Sequence, residues 1–450
     1  DRQRGRRKPG GRTETRTLWC EWSICEVQHV ARRVRKNAQR TAETMADGMI
    51  LRTVLLAVLL VRSVSALDEA ALSFCRTTNA TELPWDDSRP QEGLQLLEKA
   101  LQLNCGYEEY SEPHRHVFFY KTHKTASGTL LRIFAFKGVS MNVTYASKVL
   151  DRGSKFFVTA RCPERLRSWA TENRGCLDMA FRHVFRKDSW WNAEDCSVHK
   201  GRWLLEVYDI WREFFAEDVA VVIPTRAPRP HLKSALSYYE ISPKDFLRHK
   251  ALWNPLAQDL RLFSEEDIEV LSSTFKEHGQ QHGFAAASGL HVLVLERIYE
   301  SLVVMRHRLR WDFRDMLTVS VVHQGDRSAH PAEQGRAEVD MHDETTLNLD
   351  KLAYQRLDEH MQYSYEALQK QMSKAALEEE EAALARITHN VNKLAAPLFV
   401  DEDAQEMLGS LDLPILLKLC GDVSEDGTRR EFLDARAQCT PRQGYDTRER

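Results

Sequence analysis

The chain has 450 residues, 42% of them hydrophobic, enough to bury a sizeable core. Its net charge of −3 excludes a general nucleic-acid binder. That balance conceals an asymmetry, because residues 1–44 carry twelve Lys/Arg against five Asp/Glu, which leaves −10 on the remainder.

Residues 1–44 lack a periodic apolar pattern and read as a basic, disordered segment. Met45 and Met49 follow, then the apolar run 53–61 and small residues up to Ala66. A short basic start, an apolar stretch and small residues predict a secretory signal peptide or signal anchor over 45–66, and so a possible membrane attachment. The run is well short of the roughly 18–20 apolar residues that span a bilayer. A secretory route gives meaning to two N-glycosylation acceptors, Asn79 in Asn-Ala-Thr and Asn142 in Asn-Val-Thr. Nine cysteines are present, in spacings that match no zinc pattern, and no ligand cluster suggests a metal. In an oxidising lumen Cys176–Cys196 and Cys420–Cys439 would each close a local loop and are the predicted disulfides, with Cys162 a free thiol.

Residues 67–115 read as a luminal lead-in with a short helix near 93–103. The core, 116–395, alternates strand-like runs (117–120, 155–160, 219–225, 290–295 and a weaker one at 316–322) with helical patterns at 209–215, 230–239 and 298–311. Strands separated by helices predict an α/β fold with a mostly parallel sheet flanked by helices. Residues 323–347 read as a loop. A long C-terminal helical region, 349–394, carries the acidic run 378–381, which reads as a solvated face. Residues 396–450 form a polar tail.

The most informative stretch is His-Val-Phe-Phe-Tyr-Lys-Thr-His-Lys-Thr-Ala-Ser-Gly-Thr-Leu, 116–130. A strand, a small-residue turn and a helix start place backbone N–H groups and a helix N-terminus around an anion. Lys121 and Lys124 add charge, and Thr125, Ser127 and Thr129 add hydroxyls. The nucleotide-triphosphate loop G-x-x-x-x-G-K-[ST] is not matched, because the lysine precedes the small residues. A second strand–turn–helix, 219–239, ends its strand at Arg226, passes a proline-marked turn and carries Ser234 eight residues later. Arginine suits a phosphate through planar, multi-donor hydrogen bonds, and a serine one helical turn into the next element can join it. A similar Arg-x-Pro turn lies upstream at Arg161, with Ser168 beyond it, but its spacing fits less well.

The sequence 121–131, Lys-Thr-His-Lys-Thr-Ala-Ser-Gly-Thr-Leu-Leu, resembles the donor-binding loop of the galactose-3-O-sulfotransferase family, which includes cerebroside sulfotransferase. Gly128 stands where the family has Ser, and Ala227 stands where it has Asp after the arginine. The stretch 254–260 is similar to the family's Asn-x-x-x-x-Asp-Leu. Residues 291–311, with Glu300-Ser301-Leu-Val and Trp311, and Leu349-Asp350 with Tyr354, extend the resemblance to roughly 116–390.

The resemblance implies a P-loop-like sulfotransferase core that takes 3′-phosphoadenosine 5′-phosphosulfate as donor, without a metal. Lys121, Lys124, Thr125, Ala126, Ser127, Gly128 and Thr129 would hold the phosphosulfate end, and Arg226 and Ser234 the 3′-phosphate. Lys124 would stabilise the sulfonate and leaving oxygen. His123 is the candidate base, with Glu300 or another carboxylate as the alternative. The implied acceptor is the 3-hydroxyl of galactose on a glycolipid or glycoprotein, in the Golgi lumen or at its membrane. Two other classes stay open: a catalytically silent carbohydrate-binding relative, and a nucleotide-dependent phosphotransferase using the same cradle.

Overall fold

A computed structural model of the chain describes Cys75, residues 90–141, Arg167, and residues 179–183, 203–214, 218–238, 241–248, 253–282, 287–319 and 344–398. In chain order its elements are α1 (Pro90–Gln102), β1 (Val117–Lys121), α2 (Ser127–Ser140), β2 (Met179–His183), α3 (Trp203–Phe214), β3 (Ala220–Thr225), α4 (Pro228–Tyr238) and α5 (Pro243–Arg248). Then come α6 (Pro255–Asp259), α7 (Glu265–His282), β4 (Gly289–Val294), α8 (Ile298–Leu309), α9 (Asn348–Gln369) and α10 (Lys374–Leu398).

The four strands form one parallel sheet in the order β2-β1-β3-β4. β3 and β4 are buried along their whole length, which is why both read as mainly apolar runs, His291 in β4 apart, rather than as alternating ones. The chain places β2 on one side of β1 and β3 on the other. The direction of winding therefore reverses between β1 and β3, and the crevice beyond their C-terminal ends is where an open α/β sheet takes its ligands. β1 pairs with β3 only as far as Val222, while β3 continues beside β4 to Thr225. Pro224, which has no N–H to donate, sits in the part of β3 that has left β1.

The expected strands at 117–120, 219–225 and 290–295 are present within a residue or two. β2 was not anticipated: Met-Ala-Phe-Arg-His lacks both alternation and an apolar run, and its place is set by pairing with β1. The expected strand at 155–160 lies outside the described residues. The weak strand at 316–322 is corrected where it is described. Phe313–Met316 is a 3₁₀ turn closed by a reciprocal Asp312–Asp315 capping box, and Leu317–Val319 runs on unpaired, with the Val319 carbonyl accepting from Arg132 at 2.7 Å.

The helical region expected at 349–394 is two helices, α9 and α10, joined by a short turn. The acidic run on α10 is not uniformly solvated. Glu380 is buried, 2.8 Å from Arg306 and 2.9 Å from His307. Burying that carboxylate is possible because two donors on α8 meet it, and the Arg306 guanidinium also lies over Tyr107 and Tyr110.

The lead-in is bound into the same core. α1 contributes Leu94, Leu97 and Leu101 to it, Tyr107 stacks on Phe313 with ring centroids 4.4 Å apart, and Trp311 Nε1 donates to the His114 carbonyl. A disulfide joins Cys75 to Cys105, a pairing the spacing argument missed because it closes a longer loop than the two it favoured. Those two pairs, Cys162, Asn79, Asn142, the segment 45–66 and the end of the tail lie outside the described residues. Among the described residues no helix is long and apolar enough to cross a membrane.

Candidate functional site

The loop between β1 and α2 is held from beneath by hydroxyls. Thr122 Oγ1 donates to the Pro224 carbonyl at 2.6 Å and lies 2.8 Å from Thr125 Oγ1, and both threonines are buried. Thr125 Oγ1 also donates to the Thr122 carbonyl at 3.1 Å. This pinning supports an unusual backbone. Lys124 has φ 54° and Ala126 φ 53°, both left-handed, with Thr125 between them on the ordinary side. Alternating hands along consecutive residues turn their N–H groups toward one concave side, forming a nest that suits an anion. Each left-handed non-glycine residue costs on the order of 1–2 kcal/mol, strain of the kind that concentrates at functional sites. Beyond the loop, Lys121 ends β1, while Ser127, Gly128 and Thr129 form the first turn of α2. The side chains of Lys121 and Ser127 lie outside the described part.

Arg226 forms the second wall. It follows β3 directly, and its Nη1 donates to the Lys124 carbonyl at 3.4 Å. Burial, and then the nearby Arg226 guanidinium, lower the Lys124 ammonium from the usual 10.5 to about 8. Two cations held together in a half-buried crevice is an arrangement that a bound anion relieves. Ser234 sits half-buried in the second turn of α4, farther along than the single turn expected, because the helix already begins at Pro228. Among the described residues no hydrogen bond joins Ser234 to Arg226. The rival Arg161 lies outside the described residues.

The loop after Arg226 is anchored from another element. The Ala227 N–H donates to Glu296 Oε1 at 3.0 Å, and the Tyr354 hydroxyl donates to Glu296 Oε2 at 3.3 Å. Burial and the facing Glu296 carboxylate push the Tyr354 phenol up to about 12, so it stays a hydrogen-bond donor. A carboxylate thus orients this loop although position 227 is alanine. Glu300, the alternative base, is bound by Arg297, whose Nε donates to it at 2.7 Å and whose Nη1 reaches Asp358 at 3.1 Å. Its neighbour Ser301 is structural: the hydroxyl accepts the Val294 N–H and fixes the end of β4.

His123 lies deeper than a turn residue ordinarily would. Its side chain is 6% exposed and that of Asp259 1%. The two Asp259 oxygens accept separately, Oδ2 from the His123 backbone N–H at 2.7 Å and Oδ1 from Nδ1 at 2.7 Å. A carboxylate only accepts, so the hydrogen in this contact is carried by Nδ1. The His123 carbonyl accepts from His231 Nε2 at 2.7 Å, and burial lowers the His231 pKa and keeps that ring neutral.

Asp259 ends α6, and α6 is set by α9. Asp350, buried in the first turn of α9, accepts the Ala257 N–H at 2.8 Å and the Leu256 N–H at 3.2 Å. Asn254, left-handed at φ 53°, accepts the Leu349 and Asp350 N–H groups through Oδ1 at 3.0 and 3.2 Å. Burial pushes the Asp350 carboxyl up to about 7 despite its two backbone donors. Asn254, Asp259 and Asp350 were visible in the sequence only as parts of similar stretches. No spacing rule connects positions so far apart to His123.

Among the described residues no group of three or more His, Cys, Asp or Glu side chains is placed to hold a metal ion. Comparison with family models, with curated proteins and with solved structures finds no match for this chain.

Proposed function

We propose that this chain is a sulfotransferase with a P-loop-like core, moving a sulfonate from 3′-phosphoadenosine 5′-phosphosulfate to a sugar hydroxyl. The observation that carries the reading is the convergence, at the β1/β3 crevice, of the Lys124–Ala126 nest, the Lys124 and Arg226 cations and the buried His123–Asp259 pair. A nest with paired cations fits a doubly phosphorylated donor: the backbone N–H groups take its 5′ end, and Arg226 takes its 3′-phosphate. The resemblance of residues 121–131 to galactose-3-O-sulfotransferases supplies the sulfonate, the 3-hydroxyl of a galactose on a glycolipid or glycoprotein, and a Golgi setting.

The donor, when bound, supplies the sulfonate; the chain supplies alignment, proton removal and charge stabilisation. His123 accepts the acceptor hydroxyl's proton at Nε2 as its oxygen bonds to sulfur. The S–O bond to the 5′-phosphate breaks, its electron pair stays on the phosphate oxygen, and Lys124 stabilises that charge. The products are the sugar sulfate, the 3′,5′-bisphosphate and one proton. Pre-placed donors contribute a few kcal/mol, and alignment of the reactants several more.

Transfer of labelled sulfonate to galactose-, GalNAc- and galactosylceramide-type acceptors tests the reading, together with binding of the bisphosphate. A transferase binds the bisphosphate tightly without magnesium and labels a galactose acceptor. Preference for ATP–Mg would establish the phosphotransferase class instead, and binding of sugar alone the silent relative.

A further inference from the structure

We propose that Asp259 is a positioning residue for His123, fixing it as the tautomer with Nδ1–H and a basic Nε2, and that Asp350 holds Asp259 in place through α6. The proposal deepens the sulfotransferase reading and rests on it for its kinetic arm alone.

Three observations carry it. Asp259 grips His123 at two points, backbone N–H and ring nitrogen, each at 2.7 Å, so the carboxylate sets both the location of the residue and the plane of the ring. The grip is buried on both sides, where a hydrogen bond to a charged group is stronger than in water. And α6, which ends in that carboxylate, is only five residues long, too short to hold its own orientation. Its first N–H groups are taken by Asp350 from α9, while the Tyr120 hydroxyl, from β1 itself, donates to the Asp259 carbonyl. The carboxylate therefore hangs between the sheet and the C-terminal helices.

The tautomer matters because only one ring nitrogen can accept the acceptor's proton. With Nδ1–H fixed by Asp259, that nitrogen is Nε2. An asparagine at 259 has one acceptor oxygen for two N–H groups. If the oxygen keeps the backbone N–H, the amide faces Nδ1 with a donor, the ring hydrogen moves to Nε2, and the base is lost without displacement of the loop. The same logic orients the histidine of serine hydrolases.

The test uses the full chain labelled with ¹⁵N at histidine. Long-range ¹H–¹⁵N spectra assign the His123 tautomer, identified by the signal that His123→Gln removes. The wild-type chain should show His123 protonated at Nδ1, and Asp259→Asn should shift it toward Nε2–H. A wild-type Nε2–H tautomer overturns the proposal whether or not the chain transfers sulfonate. In turnover, Asp259→Asn should lower kcat by about 10²- to 10⁴-fold, with bisphosphate affinity within about threefold of wild type. Unchanged kcat, or an equal loss of bisphosphate affinity, overturns it. Should the asparagine variant not fold, Asp259→Glu carries the test. It keeps a carboxylate and the Nδ1–H tautomer but displaces the ring, so kcat should fall at unchanged bisphosphate affinity, and full kcat there overturns the proposal.

Discussion

Asn254 and Asp350 cap one another's helices. Asn254 Oδ1 takes the first N–H groups of α9, and the Asp350 carboxylate takes those of α6. Asparagine is among the few residues that accept the left-handed backbone found at 254. Asn254→Ala should therefore cost about 1–2 kcal/mol for the lost cap and a further ~1 kcal/mol for strain. Asn254→Gly, which relieves the strain, should cost less than the alanine change. Chemical denaturation of the two variants beside wild type measures the difference.

Asp350 gives the fold a pH signature. Its folded pKa of about 7 lies above the unfolded value of 3.8. Between those values the folded chain holds a proton that the unfolded chain has released, so this residue's contribution to stability falls as pH rises through the window. Asp350→Asn removes the titration. The melting temperature of the variant relative to wild type should therefore rise from pH 4 to pH 7, however large the constant offset from the lost acceptor. A flat difference across that range would place the Asp350 carboxyl in the ordinary range.

Lys124 should impose a limit on the alkaline side. Its ammonium, lowered to about 8, is charged below that pH and neutral above it. Bisphosphate affinity should decline as pH rises past 8, and the bound anion should move the midpoint upward. Lys124→Ala should abolish turnover and flatten this decline. Titration of bisphosphate binding from pH 6 to 10 measures both.

Arg226→Ala should weaken donor binding by roughly ten- to a hundredfold, the loss of a charge-assisted bond worth on the order of 1.5–3 kcal/mol. The penalty should shrink for a donor analogue without its 3′-phosphate. Glu296→Gln can still accept the Ala227 N–H, so it should lose less affinity than Glu296→Ala, which frees the loop. Arg161→Ala should show no dependence on the 3′-phosphate.

Ala126→Gly relaxes a left-handed alanine and should stabilise the fold by up to about 1 kcal/mol. The same change loosens the nest, so bisphosphate affinity should fall while stability rises. Thermal melts and isothermal titration of one preparation give both numbers.

The parallel sheet was legible because Val117–Tyr120 of β1, β3 and β4 are buried on both faces and so spell mainly apolar runs. β2 was not, since pairing with β1 fixes its place rather than any pattern of its own. The loop residues 121–129 and Arg226 were legible through local chemistry: cations, hydroxyls and a strand-to-helix junction. What escaped was every contact at long range. Asp259 is 136 residues from His123, and Glu296 is 69 from Ala227, and the stretches that contain them carry no sign of those partners. The left-handed turns at Lys124 and Ala126 escaped because glycine, the usual sign of such a turn, is absent from both positions. Glu380 misled because a run of four acids looks solvated until a buried Arg306 is known to face it.

The reciprocal cap between α6 and α9 also orders events during synthesis. Domains assemble as the chain leaves the ribosome, and the strands and the 122–126 loop emerge long before residue 350. Until α9 follows, Leu256 and Ala257 lack their acceptor, and the helix bearing Asp259 is held from the sheet side alone, by contacts such as the Tyr120 hydroxyl on the Asp259 carbonyl. A nascent chain can thus build the 122–126 loop early, yet it seats Asp259 from both sides only when the C-terminal helices arrive. Truncation before α9 should leave a protein that retains the cradle sequence and does no chemistry.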